Sequence, residues 1–96
     1  MRPAEPDLGA YRDAYLEALR SRDSGRARRA VDAALGGGAA IVDVYLDVLQ
    51  PALYAIGHDW AVGELNVAEE HYATAVTQQL IDELSARRRV VQKEDE

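Results

Sequence analysis

The chain contains no cysteine, which excludes a disulfide framework and any thiolate metal site and fits a reducing cytoplasm. It has no uninterrupted run of about 18 apolar residues, the length a helix needs to cross a bilayer. Met1-Arg2-Pro3 leads into an acidic, proline-bearing stretch without the apolar centre of a signal peptide. The expected location is therefore cytoplasmic, with no membrane partner. Basic residues are in deficit: 11 Lys and Arg face 17 Asp and Glu, for a net charge of −6. Duplex affinity draws on clustered cations, so nucleic acid is not an expected direct partner. The two basic clusters, Arg26-Ala-Arg28-Arg29 and Arg87-Arg88-Arg89, have no aromatic residues among them. Both read as solvated faces, the second complementing a helix C-terminus. There is no glycine-rich phosphate loop, no serine or cysteine nucleophile motif, and no Glu-x-x-His or His-x-x-x-His pair. Nothing in the chain alone reads as an enzyme.

Ninety-six residues suffice for one domain with a modest core. Hydrophobic content of 48% with only three prolines points to a folded helical chain, and the seven glycines gather at element boundaries. Asp7 can cap a first helix from Leu8 to about Arg20, with Leu8, Tyr11, Tyr15 and Ala18/Leu19 on one face. Asp23 or Ser24 opens a second, which turns Ala27, Val31 and Ala34/Leu35 inward and ends near Leu35 at Gly36-Gly37-Gly38. A third, from about Ala39 to Val62, shows Ile41, Tyr45, Val48/Leu49, Ala52/Leu53, Ile56 and Trp60 at helical spacing. Pro51 falls inside it and predicts a kink near Asp47 to Gln50, because proline removes a backbone donor and crowds the preceding turn. The fourth runs from Val67 to about Arg88, with Ala73, Val76/Thr77, Leu80/Ile81 and Leu84 inward. The expected fold is all-α: a single antiparallel four-helix bundle over residues 8–88 with a proline-kinked third helix, an N-terminal tail over 1–7 and a charged tail over 89–96.

The sharpest punctuation lies between the third and fourth helices. Gly63 is a natural helix stop, and Asn66 followed three residues on by Glu69 is an N-cap with its capping-box partner. Trp60 thus falls on the last turn of one helix, while Glu70 and His71 fall on the first turns of the next. Glu69 in the first turn suits the helix dipole. Glu70 stands at the fourth helical position, where a staple would place an apolar side chain to meet Leu65, so a carboxylate there gives up packing for another use. His71 has two distinct ring nitrogens, able to hydrogen-bond a ligand. Glu69, Glu70 and His71 do not form a metal site, since consecutive helical residues diverge by about 100°. His58, two residues before Trp60, points elsewhere on the helix and receives no role. A tryptophan ending an apolar stripe also fits simple core packing.

Residues from about Tyr11 to Leu84 resemble the helical cap of cobalamin-binding modules, found in cobalamin-dependent methionine synthases, corrinoid methyl-carrier proteins and light-sensing regulators. The likeness is carried by Val44-Tyr-Leu-Asp-Val-Leu-Gln-Pro51, Ile56-Gly57, Trp60 and Val67-Ala-Glu-Glu-His71-Tyr-Ala-Thr74. The spacing of Trp, nine residues, then Glu-His is similar to the adenosylcobalamin photoreceptor branch. The resemblance implies that Trp60 and Val67 form an apolar roof over the upper axial group of the cofactor, with Glu70 and His71 as a polar wall. It implies that Glu70 accepts hydrogen bonds from ribose hydroxyls, as an acceptor-only carboxylate can. It also implies a Rossmann-like cobalamin-binding domain or subunit as partner, adenosylcobalamin as the favoured cofactor, and methylcobalamin as the alternative.

Two departures from the family pattern stand out. Where photoreceptor-type members can carry a histidine directly after the tryptophan, this chain has Ala61. The Asp-x-His-x-x-Gly motif that supplies a lower axial histidine is absent: neither His58 nor His71 is followed three residues later by glycine. Arg89-Val90-Val91 resembles the start of the family's next strand, but Gln92-Lys-Glu-Asp-Glu96 follows it. The expectation is a cap excised from, or paired with, a separate Rossmann-like half. The rivals are a stand-alone interaction bundle that has lost the cofactor, self-associating through Val42 and Leu46, and the cap fragment of a corrinoid methyltransferase.

Overall fold

Four helices and no strand make up the described residues of the computed structural model, which are 7–94 for the backbone and 7–88 for side chains. The all-α class expected from the sequence is what the chain adopts. Helix α1 spans Gly9–Arg20, and Asp7 Oδ1 accepts from the Gly9 N–H at 2.9 Å, just outside its first turn. Helix α2 spans Ser24–Gly36 and is capped by Asp23, whose Oδ1 accepts from the Arg26 N–H at 3.0 Å. Helix α3 is a continuous run of three segments, Ile41–Val44, a π-helical turn Tyr45–Leu49, and Gln50–Ala61. Helix α4 spans Val67–Glu94.

Helices α1, α2 and α3 end with one device. The first residue past each C-cap takes a left-handed conformation, Arg22 at φ 55°, Gly38 at φ 103° and Gly63 at φ 82°. Each passes its N–H, and that of the next residue, back to carbonyls of the last turn, as in Asp23 N–H to Ala18 O at 2.9 Å and Glu64 N–H to Asp59 O at 2.8 Å. These paired bonds satisfy carbonyls that the helix end would otherwise orphan.

Helix α4 runs past the expected end near Arg88 as far as Glu94. No glycine or proline occurs from Val67 onward, so nothing interrupts the backbone ladder. The expected tail over 89–96 is thus helical up to Glu94, and its last two residues lie outside the described ones. Residues 1–6 of the expected N-terminal tail lie outside them too.

The core is built from the faces the periodicity marks on α1, α2 and α4. Tyr15, Ala18 and Leu19 of α1, Ala27, Ala30, Val31 and Ala34 of α2, and Ala73, Thr77, Leu80 and Leu84 of α4 are buried. In α3 the inward set is Val44, Val48, Leu49, Ala52 and Ile56, which corrects two positions. Tyr45 and Trp60, placed on the inward stripe by simple helical spacing, are 40% and 50% exposed. The buried residues Val44, Val48, Ala52 and Ile56 recur every four residues, a spacing that drifts by roughly 40° per step in a regular α-helix. The π turn absorbs that drift by winding more residues into one turn, with the Gln50 N–H bonded to the Tyr45 carbonyl. It ends two residues before Pro51, the residue that has no N–H to give to the ladder.

Candidate cofactor-binding corner

The corner between α3 and α4 is fixed at both helix ends before any side chain of the expected site is considered. On the α3 side, Gly63 N–H bonds to Trp60 O at 3.1 Å, and the Glu64 and Leu65 N–H groups both reach Asp59 O, at 2.8 and 3.2 Å. On the α4 side the capping box closes reciprocally: Asn66 Oδ1 accepts from Glu69 N–H at 2.8 Å, and Glu69 Oε1 accepts from Asn66 N–H at 3.1 Å. Leu65 packs against the core between the two.

Two arginines of the α1 end brace this corner from outside. Arg20 donates through Nε and Nη2 to Asp59 Oδ2 at 3.0 and 2.7 Å, tying the end of α1 to the end of α3. Arg22 Nη2 lies 3.8 Å from Glu69 Oε2, the free oxygen of the capping carboxylate. Neither pair has a local sequence signal, since 39 residues separate Arg20 from Asp59.

On this frame Trp60 is held half out of the protein, 50% exposed and outside the core cluster. Val62, two residues on, is 57% exposed, and Val67, the first residue of α4, is 56% exposed. Burying an aromatic ring is among the larger single gains a small core can make, so a lone tryptophan left at the surface is a packing opportunity the bundle does not use. The reading of Trp60 as simple core filler is thereby removed.

The polar side of the corner is Glu70 and His71. The Glu70 side chain keeps 30% of its surface exposed and His71 keeps 76%. Glu70 Oε2 lies 3.7 Å from His71 Nε2, while Oε1 accepts a hydrogen bond from Thr74 Oγ1 at 3.1 Å. Thr74 was carried in the sequence only as part of a longer run, although its place four residues after Glu70 is the spacing at which helical side chains meet. His58 is exposed, on the surface of α3. Among the described residues no three His, Asp or Glu side chains group as metal ligands, and no helix is long and apolar enough to cross a membrane.

The two basic clusters differ in what they do. Arg28 of the first makes a two-pronged pair with Glu83, Nη1 to Oε2 and Nη2 to Oε1, the latter at 3.1 Å, and so links α2 to α4. The hydrogen bond and charge of Glu83 raise the Arg28 pKa, and Arg28 in turn holds the Glu83 carboxyl below the usual carboxylate range. Arg87 and Arg88 are exposed on α4, and the side chain of Arg89 lies outside the described ones.

The corner thus offers an aromatic plate, two exposed valines, an acceptor carboxylate and an imidazole on two helix ends locked by their own backbone. Such a mixture suits a large ligand that is apolar in one part and rich in hydroxyl donors in another. Compared with models of protein families, residues 11–85 match the B12 binding domain. No curated protein matches the chain.

Proposed function

Because the chain belongs to the B12 binding domain family, as a helical cap, we propose that its α3–α4 corner covers the upper axial face of a cobalamin held by a Rossmann-like domain or subunit. The observation that supports this most is the half-exposed Trp60 on a helix end fixed by the Gly63 turn. Cobalamin, when bound, supplies a reactive cobalt–carbon bond. The chain's part is to choose what sits on that bond and to keep water from it. Trp60, with Val62 and Val67, gives the flat apolar cover. Glu70, holding a carboxylate with an accessible oxygen, accepts from hydroxyl donors, and His71 adds a ring nitrogen at the rim. The module binds and shields and does no chemistry of its own.

A carboxylate acceptor in the first turn of α4, across the corner from Trp60 on the last turn of α3, supports adenosylcobalamin, whose upper ligand carries ribose hydroxyls, over methylcobalamin, which has none. The spacing of Trp60, nine residues, then Glu70-His71, similar to the adenosylcobalamin photoreceptor branch, supports a place in a sensor or regulatory protein. Ala61, following Trp60, offers no side chain able to bind a metal, so the part of the chain at this position would be to cover the cofactor and not to ligate it.

The test is dark gel filtration of the protein with a Rossmann-like partner and each cobalamin, followed by Glu70→Gln. This substitution keeps the shape and removes the anionic acceptor, whose bonds are worth about 1.5–3 kcal/mol. Adenosylcobalamin affinity is expected to fall roughly tenfold or more, at about 1.4 kcal/mol per decade, with methylcobalamin unchanged. Equal losses make Glu70 structural and turn the reading to a methyl-carrier cap.

A second reading, self-association through α3, draws on a different observation. Val42, Tyr45 and Leu46 are exposed and line a groove of about 310 Å³ with Ile81, Leu84 and Arg88. Asp43 and Asp47, exposed on the same helix, carry the charge opposite to Arg88, so a second copy could match apolar to apolar and acid to base. Sedimentation of wild type and Leu46→Asp separates the two readings: a wild-type dimer broken by the substitution, without corrin binding, favours self-association.

A further inference from the structure

We propose that Thr74 is a positioning residue for Glu70, and that its hydroxyl sets which carboxylate oxygen the corner presents to a hydroxyl-bearing ligand. The proposal rests on the cap reading above and adds a residue to it. Glu70 is a flexible side chain on a surface helix, and an unrestrained one would lose rotamer freedom on meeting a ligand, which opposes binding. Here it is restrained beforehand. Thr74 Oγ1, one turn further along α4, donates to Oε1 at 3.1 Å.

The restraint is directional. With Oε1 engaged by Thr74, Oε2 is the oxygen turned to His71 Nε2, at 3.7 Å. A threonine hydroxyl in a helix can turn back to a backbone carbonyl one turn earlier, and in doing so would leave Glu70 unheld. In this chain it donates to the carboxylate. Both Thr74 and the bond are exposed, so the bond adds little to folding, and its consequence falls on the geometry of Glu70. The role of Thr74 in this arrangement is exerted through Glu70.

The experiment compares Thr74→Val, which keeps the shape and loses the hydroxyl, with Thr74→Ser, which keeps it. Three-bond couplings of Glu70 are measured by NMR on the chain alone. Adenosylcobalamin and methylcobalamin affinities are measured on the complex with a Rossmann-like partner. Wild type and Thr74→Ser are expected to show one dominant Glu70 rotamer, and Thr74→Val an average over several. Thr74→Val is expected to weaken adenosylcobalamin by about threefold to tenfold, the range of one side chain freed from its restraint. Methylcobalamin should be unaffected, and Thr74→Ser should behave as wild type. Unchanged Glu70 couplings in Thr74→Val overturn the proposal, as do loosened couplings with unchanged cofactor selectivity. A wild-type complex that binds neither cobalamin fails at the cap reading itself and removes the proposal with it, a result distinct from either of the others because it appears before any substitution.

Discussion

The hydroxyl of Tyr15 on α1 lies 2.6 Å from that of Thr77 on α4, and neither side chain exposes any surface. It is a polar pair at the centre of an otherwise apolar core, joining two helices 62 residues apart in the chain. Each hydroxyl is the other's hydrogen-bond partner, and among the described residues no buried side-chain polar atom is left without one. Removing one member strands its partner, which costs about 1–3 kcal/mol, whereas removing both can be nearly neutral. Tyr15→Phe and Thr77→Val are each expected to destabilise the bundle by about that amount. The double variant should cost clearly less than their sum, as urea titrations of all four proteins will show. Additive losses mean the pair is not coupled.

The same burial gives the fold an alkaline limit. Desolvation pushes the Tyr15 phenol up to about 12, partly opposed by its bond to Thr77. The folded value lies above the unfolded value of about 10, so the contribution is whole below about pH 10 and is lost as pH rises through about 12. About 1.4 kcal/mol per unit gives a loss on the order of 2–3 kcal/mol across that window. Stability measured from pH 9 to 12 should fall in wild type and fall less steeply in Tyr15→Phe. Parallel curves place the titrating group elsewhere.

At the other corner, Asn66 and Glu69 cap α4 reciprocally. Asn66→Ala should lower stability by about 1 kcal/mol, the usual worth of an N-cap. Coincident melts of the variant and wild type contradict the capping account of the α3–α4 corner.

Arg22 holds a backbone conformation that glycine takes freely, at φ 55°. A side chain there costs roughly 1–2 kcal/mol, and the exposed contact to Glu69 at 3.8 Å returns only a fraction of it. Glycine also gains freedom in the unfolded chain. Arg22→Gly is therefore expected to raise stability by a net of about 0.5–1 kcal/mol. A lower melting temperature would assign Arg22 a larger part in bracing Glu69 than its distance implies.

Most of the architecture was legible because its signals are local. Asp23, Gly63, and Asn66 with Glu69 mark helix ends by chemistry confined to a few residues, and the inward faces of α1, α2 and α4 follow a regular period. The period failed in α3 at Tyr45, where a π turn shifts the phase, and at Trp60, which lies on the helix's last turn outside the core cluster. A π turn depends on the whole register of the helix against its neighbours, so Pro51 shows that something must give without showing how. The end of α4 was placed too early for a related reason: a basic cluster suits a helix end but cannot stop a helix. At the candidate site, Trp60, Val67, Glu70 and His71 are the residues the sequence proposes. Trp60 was named there for two opposed roles, and its exposure removes the core-packing one. The contacts Arg20–Asp59 and Arg22–Glu69 carry no sequence signal, because they depend on how α1 meets the α3–α4 corner.

The most direct test of the cap account is Trp60→Ala, followed by two readings on one preparation. These are thermal stability of the chain alone, and affinity for adenosyl-, methyl- and hydroxocobalamin in the dark with a Rossmann-like partner. A half-exposed ring outside the core should leave stability within about 0.5 kcal/mol of wild type, while binding of every cobalamin weakens and the cobalt becomes more open to solvent. A fall of about 3 kcal/mol or more, the cost of truncating a core tryptophan, with cobalamin affinities unchanged, would place Trp60 in the packing of the bundle and contradict the account.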